Sequence, residues 1–269
     1  MKKQLKKINF FLLSVIALFA LVSCQPKEAA NVIKVGTIAG PETELMEVAK
    51  DVADSKYHLK IVIVAFTDYT MPNQALYDGQ IDANMFQTLP YLQADMKARA
   101  YKFVVAGKTF IYPMALYSKK YKSIADIPQK AVIAIPADPV NQERALLLLQ
   151  KAGLIKIKLD HNNIATPFDI SSNPKHLKIK SIDAAQLPRI LPDAALAAIN
   201  TNYAVLANLS PEKNGLIVED KNSPYVNVIA VRKGDENSTK VKELVDALHS
   251  TEVQEAAKKL FHNEVIIAW

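Results

Sequence analysis

Apolar positions along the chain follow two alternating rhythms. The β-branched runs Val32 to Ile38 and Leu59 to Phe66 flank Glu42 to Ser55, where apolar residues recur at helical spacing. Further strands are predicted at Ile81 to Ala83, Phe103 to Val105, Ala131 to Ile135, Lys178 to Ile182, Ala194 to Ile199, Gly215 to Val218 and Val226 to Val231. Further helices are predicted at Pro90 to Ala100, Asp138 to Gln150 and Thr239 to Phe261. This alternation predicts an α/β protein whose mostly parallel sheets are flanked by helices.

The length of the chain favours two lobes. It has 269 residues, half of them hydrophobic, which lies near the upper limit for one domain. In α/β sheets, small molecules bind beyond the carboxyl ends of the strands, and in two-lobed proteins they bind between the lobes. We therefore look for binding residues where strands pass into helices.

The first residues have the pattern of a signal peptide with a lipid attachment site. Four lysines precede the apolar run from Phe10 to Val22, which would span about 20 Å as a helix, against about 30 Å for a bilayer core. The run ends in Leu21-Val22-Ser23-Cys24, which resembles a bacterial lipobox. We expect cleavage of residues 1–23, acylation of Cys24 and a tether over residues 24–31. The two chains of a diacylglycerol would hold the protein on a membrane outside the cytoplasm.

Charge and motifs exclude several classes of function. The chain has 33 basic and 27 acidic residues, but four of the lysines precede the apolar run, which leaves 29 against 27. This balance does not suit a nucleic-acid-binding surface. The single cysteine excludes a disulfide framework and a cysteine-based zinc site. Because hydrolase, dinucleotide, P-loop and zinc-protease motifs are absent, we expect no enzyme, no cofactor and no metal.

Aromatic and polar residues at predicted junctions suggest a small-molecule site. Aromatic residues at the junctions are Tyr69, Phe86 and Tyr91, and hydrogen-bonding residues near element ends are Arg144, Asn200 and Asn227. A guanidinium binds a carboxylate, an amide oxygen accepts from an ammonium, and aromatic rings pack around apolar or thioether groups. This combination suits an amino acid with an apolar tail, although each residue also has an ordinary structural interpretation.

From Val32 to the C-terminus the sequence resembles the methionine-binding lipoproteins of the MetQ/NlpA family. The resemblance is strongest in KVGTIAGPETELMEVAKDVA, FTDYTMPNQAL, GQIDANMFQTLPYL, RALLLLQKAGLIKIK, INTNYA and VEDKNSPYVN. It implies a type II periplasmic-binding-protein-like fold with two crossover strands. The implied lobes are Val32 to Tyr112 with Val226 to Trp269, and Pro113 to Tyr225. A monomer that delivers methionine to an ABC permease and its ATPase is implied as well.

The same resemblance assigns roles to the junction residues. It implies that Tyr69, Phe86 and Tyr91 enclose the methionine side chain and that Arg144 binds its carboxylate. Asn200 and Asn227 would contact the amino and carboxylate groups. Tyr112 is a further candidate for the cleft wall.

Two segments depart from the family pattern. Thr88 stands where the family usually has a histidine that lines the pocket, so the pocket is also expected to include Thr88. Ala137, Val140 and Glu143 alter the loop before the arginine. The expected ligand is methionine, with the preference between L- and D-methionine left open.

Three alternatives to a methionine carrier remain. The ligand could be a methionine-containing dipeptide, or the protein could be a surface interaction lipoprotein that binds small molecules weakly. An extracytoplasmic enzyme would need an acid/base pair, for which the candidates are Asp68, Asp82 and Glu143.

Overall fold

The computed structural model describes residues 31–158, 164–220 and 222–269. The predicted signal peptide, the lipidation site Cys24 and the tether up to residue 30 lie outside the described residues. Within the described ranges, no helix combines the length and the apolar character that a membrane span requires.

A six-stranded sheet forms the first lobe. In chain order its strands are β1 (Val32–Ile38), β2 (Lys60–Phe66), β3 (Ala83–Thr88), β4 (Phe103–Ile111), β12 (Val226–Arg232) and β13 (Ile266–Ile267), arranged as β13-β4-β12-β3-β1-β2. Strand β3 lies inside this sheet, parallel to β1 and antiparallel to β12. Its six residues are all buried.

A five-stranded sheet forms the second lobe. Its strands are β5 (Ala115–Tyr117), β6 (Val132–Pro136), β9 (Lys178–Ile182), β10 (Leu196–Ile199) and β11 (Gly215–Val218), in the order β11-β5-β10-β6-β9. Strand β6 pairs in parallel with β9 and β10, so the carboxyl ends of β6 and β10 lie side by side. Two short strands, β7 (Lys156–Ile157) and β8 (Ile170–Ser172), pair separately.

Helices cover these sheets. The α-helices are α1 (Pro41–Tyr57), α2 (Met71–Tyr77), α3 (Leu89–Arg99), α4 (Pro139–Lys151), α5 (Leu187–Ile190), α6 (Thr201–Leu206), α7 (Pro211–Asn214), α8 (Thr239–Leu248) and α9 (Thr251–Leu260). Helix α1 places Leu45, Met46 and Ala49 in the core of the first lobe, to which α8 adds Val241 and Leu244. Spacing at i, i+3 and i+4 puts such residues on one face of a helix.

The two lobes are joined by two crossover segments that lie side by side. The first runs from β4 to β5 through Tyr112 and Met114, and the second runs from β11 to β12 through Glu219 and Tyr225. The backbone N–H of Glu219 donates to the carbonyl of Met114 at 2.9 Å. The lobe bounds given by the resemblance stay a prediction.

The α/β class with two sheets flanked by helices is confirmed, but both sheets are mixed. Strand β12 is antiparallel to β3 and β4, and β5 is antiparallel to β10 and β11. Each of these antiparallel pairs includes a strand next to a crossover segment. Two neighbouring strands are parallel only when a connection such as a helix returns the chain to the same end of the sheet, and the crossover segments contain no such helix. The expectation of mostly parallel sheets was therefore wrong in this detail.

Three predicted elements differ clearly from the structure, and one of them is the strand predicted at Phe103 to Val105, which continues to Ile111. The strand predicted at Ile81 to Ala83 is instead Ala83–Thr88, because a strand covered on both faces shows no polar alternation, and its amides Asn84 and Gln87 are buried. The long C-terminal helix is divided in two at Ser250, whose hydroxyl caps α9 by accepting from the N–H of Val253.

Candidate ligand-binding site

Three aromatic residues from different elements of the first lobe form a cluster. Tyr69 follows β2, Phe86 lies in β3, and Tyr91 lies in the first turn of α3. Their ring centroids are 5.9 to 6.2 Å apart, within the range of favourable aromatic contacts. Tyr203 of α6 in the second lobe joins the cluster, with its ring 5.2 Å from that of Tyr69. The structure thus brings together the three aromatic residues selected from the sequence and adds a fourth.

Hydrogen bonds fix these rings. The hydroxyl of Tyr91 donates to the carbonyl of Tyr69 at 3.0 Å. Between the lobes, the hydroxyl of Tyr69 donates to Oδ1 of Asn202 at 2.7 Å, and that of Tyr203 donates to the carbonyl of Thr67 at 3.3 Å. Burial raises the pKa of Tyr69 and of Tyr91, so both phenols remain protonated donors.

The aromatic cluster borders a small cavity of about 20 Å³, room for about one water molecule. It is lined by Tyr69, Phe86, Gln87, Thr88, Tyr91 and Asn141, so both lobes contribute. Thr88 lines the cavity and also caps α3, since its hydroxyl accepts from the N–H of Tyr91 at 3.4 Å. The short side chain at this position therefore contributes to helix geometry as well as to the cavity wall.

Gln87, which lines the cavity, belongs to a network of buried amides. Gln87 donates to Oδ1 of Asn73 at 2.7 Å and to Oδ1 of Asn84 at 2.9 Å. Asn73 in turn donates to Oε1 of Gln87 at 2.8 Å and to the carboxylate of Asp95 at 2.9 Å. Because these polar groups satisfy one another, they hold Gln87 in one orientation beside the cavity.

Amide side chains of the second lobe face the aromatic cluster. Asn141 lies at the start of α4, and Asn200 lies at the start of α6, just beyond the neighbouring ends of β6 and β10. Nδ2 of Asn200 donates to Oδ1 of Asn141 at 2.8 Å. Two buried amide atoms have no hydrogen-bond partner among the described residues, namely Oδ1 of Asn200 and Nδ2 of Asn202. One is an acceptor and the other a donor, and buried polar atoms of this kind need a partner.

Asp138 adds a carboxylate next to these amides. It caps α4, and its Oδ1 accepts from the backbone N–H of Asn141 at 2.9 Å. Nδ2 of Asn141 also donates to both carboxylate oxygens at 3.1 Å. Burial raises the pKa of Asp138, while the Asn141 donors and the nearby charge of Arg144 act in the opposite direction.

Arg144 is placed at the crossover segments. Its Nε donates to Oε1 of Glu219 at 2.7 Å, and its Nη2 donates to Oε2 of Glu219 at 2.5 Å and to the carbonyl of Tyr112 at 2.7 Å. The guanidinium lies 4.6 Å from the centre of the Tyr225 ring. Glu219 also accepts from the backbone N–H of Met114. The arginine selected as a carboxylate ligand therefore binds a carboxylate of the protein and ties the two crossovers together.

Two other selected residues have different outcomes. Asn227 is buried and lies directly opposite Thr88 in the β12–β3 pair, but it is not among the residues that line the cavity, so its part in the site stays a prediction. The ring of Tyr112 packs on Phe110 and Phe261 in the core of the first lobe, with centroids 6.0 and 4.6 Å away. The structure therefore does not place the Tyr112 side chain with the aromatic cluster, because the strand direction at the end of β4 turns its ring toward α9.

The three carboxylates considered for catalysis lie in separate local contacts. Asp68 accepts from the N–H and hydroxyl of Thr70, and Glu143 accepts from the N–H of Ala165. Asp82 forms an ion pair with Arg232 at 3.4 Å. Within the described ranges, no group of three or more His, Cys, Asp or Glu residues could hold a metal ion.

Sequence reasoning missed several residues of this site. Asn202 and Tyr203 lie in the same INTNYA segment as Asn200, where these two consecutive residues of one helical turn bond to the other lobe. Asn141 could have been found from its position three residues after the N-cap Asp138. Glu219 gave no local signal, because its partner Arg144 is 75 residues away in the chain.

Comparison with solved structures and known sequences places this chain in a family. An ABC transporter periplasmic substrate-binding protein from Coxiella burnetii matches with TM-score 0.85 and 57% identity, covering 88% of this chain and 100% of that chain. A nutrient binding protein from Burkholderia cenocepacia, bound to methionine, matches with TM-score 0.86 and 50% identity over 88% and 100%. Fold and cavity thus define a protein of the periplasmic substrate-binding class.

The sequence comparisons are more specific. The D-methionine-binding lipoprotein MetQ of Escherichia coli O157:H7 is 49% identical over 259 residues, 95% of this chain and 96% of that protein. Residues 33–269 match the NlpA lipoprotein family, and the chain belongs to it.

Proposed function

We propose that this chain is a methionine-binding lipoprotein of an ABC importer, held at the outer side of a cell membrane by a lipid on Cys24. One observation carries the proposal. Tyr69 and Asn141 line a cavity walled by aromatic rings, and their hydrogen-bond partners Asn202 and Asn200 each keep one buried amide atom, a donor and an acceptor, without a partner in the described part of the chain. An apolar wall with a separate acceptor and donor suits a zwitterion with an apolar tail.

The ligand groups can be assigned by chemistry. The α-ammonium donates to Oδ1 of Asn200, and the α-carboxylate accepts from Nδ2 of Asn202. The thioether lies among Tyr69, Phe86 and Tyr91, because sulfur packs favourably near ring edges. The direct bond between the ligand carboxylate and Arg144 stays a prediction, since that guanidinium is engaged by Glu219.

Binding is coupled to lobe closure in this proposal. Tyr69 and Thr67 of the first lobe already bond to Asn202 and Tyr203 of the second. A ligand that contacts the rings of one lobe and the amides of the other adds to these bridges. It stabilises the closed arrangement by its greater affinity for that arrangement, and the permease recognises the closed form.

The relatives support the ligand and the setting. The protein from Burkholderia cenocepacia was solved with methionine, and the Escherichia coli relative is described as a D-methionine-binding lipoprotein. We propose that this chain acts as a monomer with a permease and its ATPase, and that it binds its ligand without converting it.

Native mass spectrometry of the fragment that begins after Cys24 tests the proposal. The protein is unfolded, freed of small molecules, refolded and mixed with L-methionine, D-methionine, Gly-Met or leucine. We expect one methionine per chain, retained far better than leucine. An adduct with Gly-Met alone would move the specificity to a dipeptide, and no adduct with any of the four would contradict a small-molecule carrier.

A further inference from the structure

A chain of hydrogen bonds leads from a helix cap to the buried acceptor of the site. It begins at the carboxylate of Asp138, which accepts from Nδ2 of Asn141 at 3.1 Å. Oδ1 of the same Asn141 side chain then accepts from Nδ2 of Asn200 at 2.8 Å. The chain ends at Oδ1 of Asn200, which has no partner among the described residues.

The first group fixes the direction of every bond in this chain. An ionised carboxylate only accepts hydrogen bonds, so Asn141 must turn its N–H₂ group toward Asp138. The side-chain oxygen of Asn141 then faces Asn200, which must donate a hydrogen bond to it from its own N–H₂ group. The atom that Asn200 leaves for a ligand is therefore its oxygen, an acceptor. With a neutral donor at position 138, both amides could turn around and present an N–H₂ group instead.

The other amide of the site has no such constraint. Asn202 bonds to the hydroxyl of Tyr69. A phenol hydroxyl can donate or accept, so this partner is compatible with either orientation of Asn202. Of the two amides with unpartnered atoms, only Asn200 thus has its orientation fixed by its hydrogen-bond partners.

We propose that Asp138 is a positioning residue that sets the polarity of the Asn141–Asn200 relay and thereby selects ligands with an α-ammonium group. This inference rests on the proposed function. Asp138 acts through two amides, so its effect falls on one group of the ligand, and the three aromatic rings of the cavity stay in place. Its second role, capping α4 through the N–H of Asn141, is separable because other residues cap helices equally well.

Asp138→Asn tests this inference, because asparagine keeps the cap but supplies a donor. The dissociation constants of L-methionine and of 4-(methylsulfanyl)butanoic acid, which lacks the amino group, are measured by calorimetry. The wild-type protein should prefer methionine by about 10- to 100-fold, as expected for one hydrogen bond to a charged group. In the variant, methionine should weaken until this preference is largely lost, while the affinity for the deaminated analogue changes little.

Asp126→Asn is the matched control. Asp126 belongs to the same lobe and its carboxylate accepts from a backbone N–H, that of Ser123, but it does not line the cavity. This variant removes the same charge and should keep the wild-type preference for methionine. A loss of preference in both variants would indicate a general effect of charge and would overturn the relay.

Other outcomes separate the inference from the function on which it rests. If Asp138→Asn keeps the full preference, the relay is overturned while the methionine carrier stands. If the wild-type protein binds neither compound, both proposals fail. Asp138→Ser, which also retains a capping side chain, is measured in parallel, so that a folding defect of one variant does not decide the result. A serine hydroxyl can donate or accept, so this variant fixes neither polarity and its preference should lie between those of the wild type and Asp138→Asn. A folded serine variant with less preference than Asp138→Asn overturns the relay.

Discussion

The aromatic side of the cavity, from the first lobe, and the amide side, from the second lobe, would contact a ligand through different kinds of interaction. The first lobe contributes Tyr69, Phe86 and Tyr91, whose ring contacts depend on area and shape. The second lobe contributes Asn141 and Asn200, whose contacts depend on the direction of each hydrogen bond. Packing tolerates replacement by another apolar group of similar size, whereas a buried amide left without its partner is costly. The aromatic side should therefore set how tightly a side chain is held, and the amide side should decide which head group is accepted.

Arg144 forms a buried ion pair at the crossover segments that join the two lobes. Its ion pair with Glu219 is nearly inaccessible to solvent, with 4% and 10% of the two side chains exposed. Arg144→Ala leaves the Glu219 carboxylate buried without a partner and should lower the free energy of unfolding by about 3–5 kcal/mol. Urea denaturation measures this.

The control for Arg144 is Arg99→Ala, which removes an exposed guanidinium from its pair with the partly buried Asp95 and leaves that carboxylate bonded to Asn73. Its effect should be about 0.5 kcal/mol or less. Equal losses of unfolding free energy in the two variants would show that the ion pair at the crossovers contributes no more to stability than a surface pair.

Asn200→Ala removes the acceptor from the amide side. The affinity for methionine should fall by about 10- to 100-fold, since a hydrogen bond to a charged group contributes about 1.5–3 kcal/mol. Calorimetry compares this variant with Asn237→Ala, which removes an exposed asparagine and should bind as the wild type does. Unchanged affinity in Asn200→Ala would remove Asn200 from the site.

Phe86→Leu changes the aromatic side while keeping its apolar character. The affinity for methionine should fall by only about fivefold, near 1 kcal/mol, because leucine fills similar space but lacks the ring edge. The same titration gives the value. A larger loss here than in Asn200→Ala would reverse the comparison between the two sides.

Glu42→Gln should leave methionine affinity nearly unchanged and alter only the pH dependence of stability. Burial raises the pKa of Glu42 well above its usual 4.5, and its Oε2 has no partner within the described chain. The folded state therefore holds this proton more tightly than the unfolded state, and stability falls as pH rises above about 4.5 until the raised pKa is passed.

Melting temperatures measured across this pH range test Glu42. The fall should be smaller in Glu42→Gln, while Glu44→Gln, an exposed neighbour in the same helical turn, should follow the wild-type curve. Identical curves for the wild type and Glu42→Gln would show that the carboxyl group is ionised at no cost in the folded protein.

Local patterns predicted the framework better than the site. Strands such as Val32–Ile38 and Lys178–Ile182 have the predicted bounds, because β-branched residues that recur between turns are typical of strands. The polar residues of Ala83–Thr88 predict a junction instead of a strand, because the partners that satisfy these residues lie elsewhere in the lobe. The break at Ser250 was hidden by apolar spacing that continues on both sides of it.

The site needed three-dimensional contacts that spacing does not encode. The aromatic residues and Asn200 came from element junctions together with the resemblance to a family, and the structure brings Tyr69, Phe86 and Tyr91 together. The ion pair of Arg144 with Glu219 joins distant segments, so no local pattern predicts it. The ring of Tyr112 points into the core, which depends on strand direction at the crossover.

The central claim is that a methionine side chain lies among the aromatic rings while the amides hold its head group. NMR of methionine labelled with ¹³C at its methyl group, mixed with the refolded fragment, tests this most directly. Nuclei that face aromatic rings are shielded, so we predict a separate bound signal shifted upfield, which Phe86→Leu should weaken. A bound methyl signal at the position of free methionine, or no bound signal at all, would contradict the account.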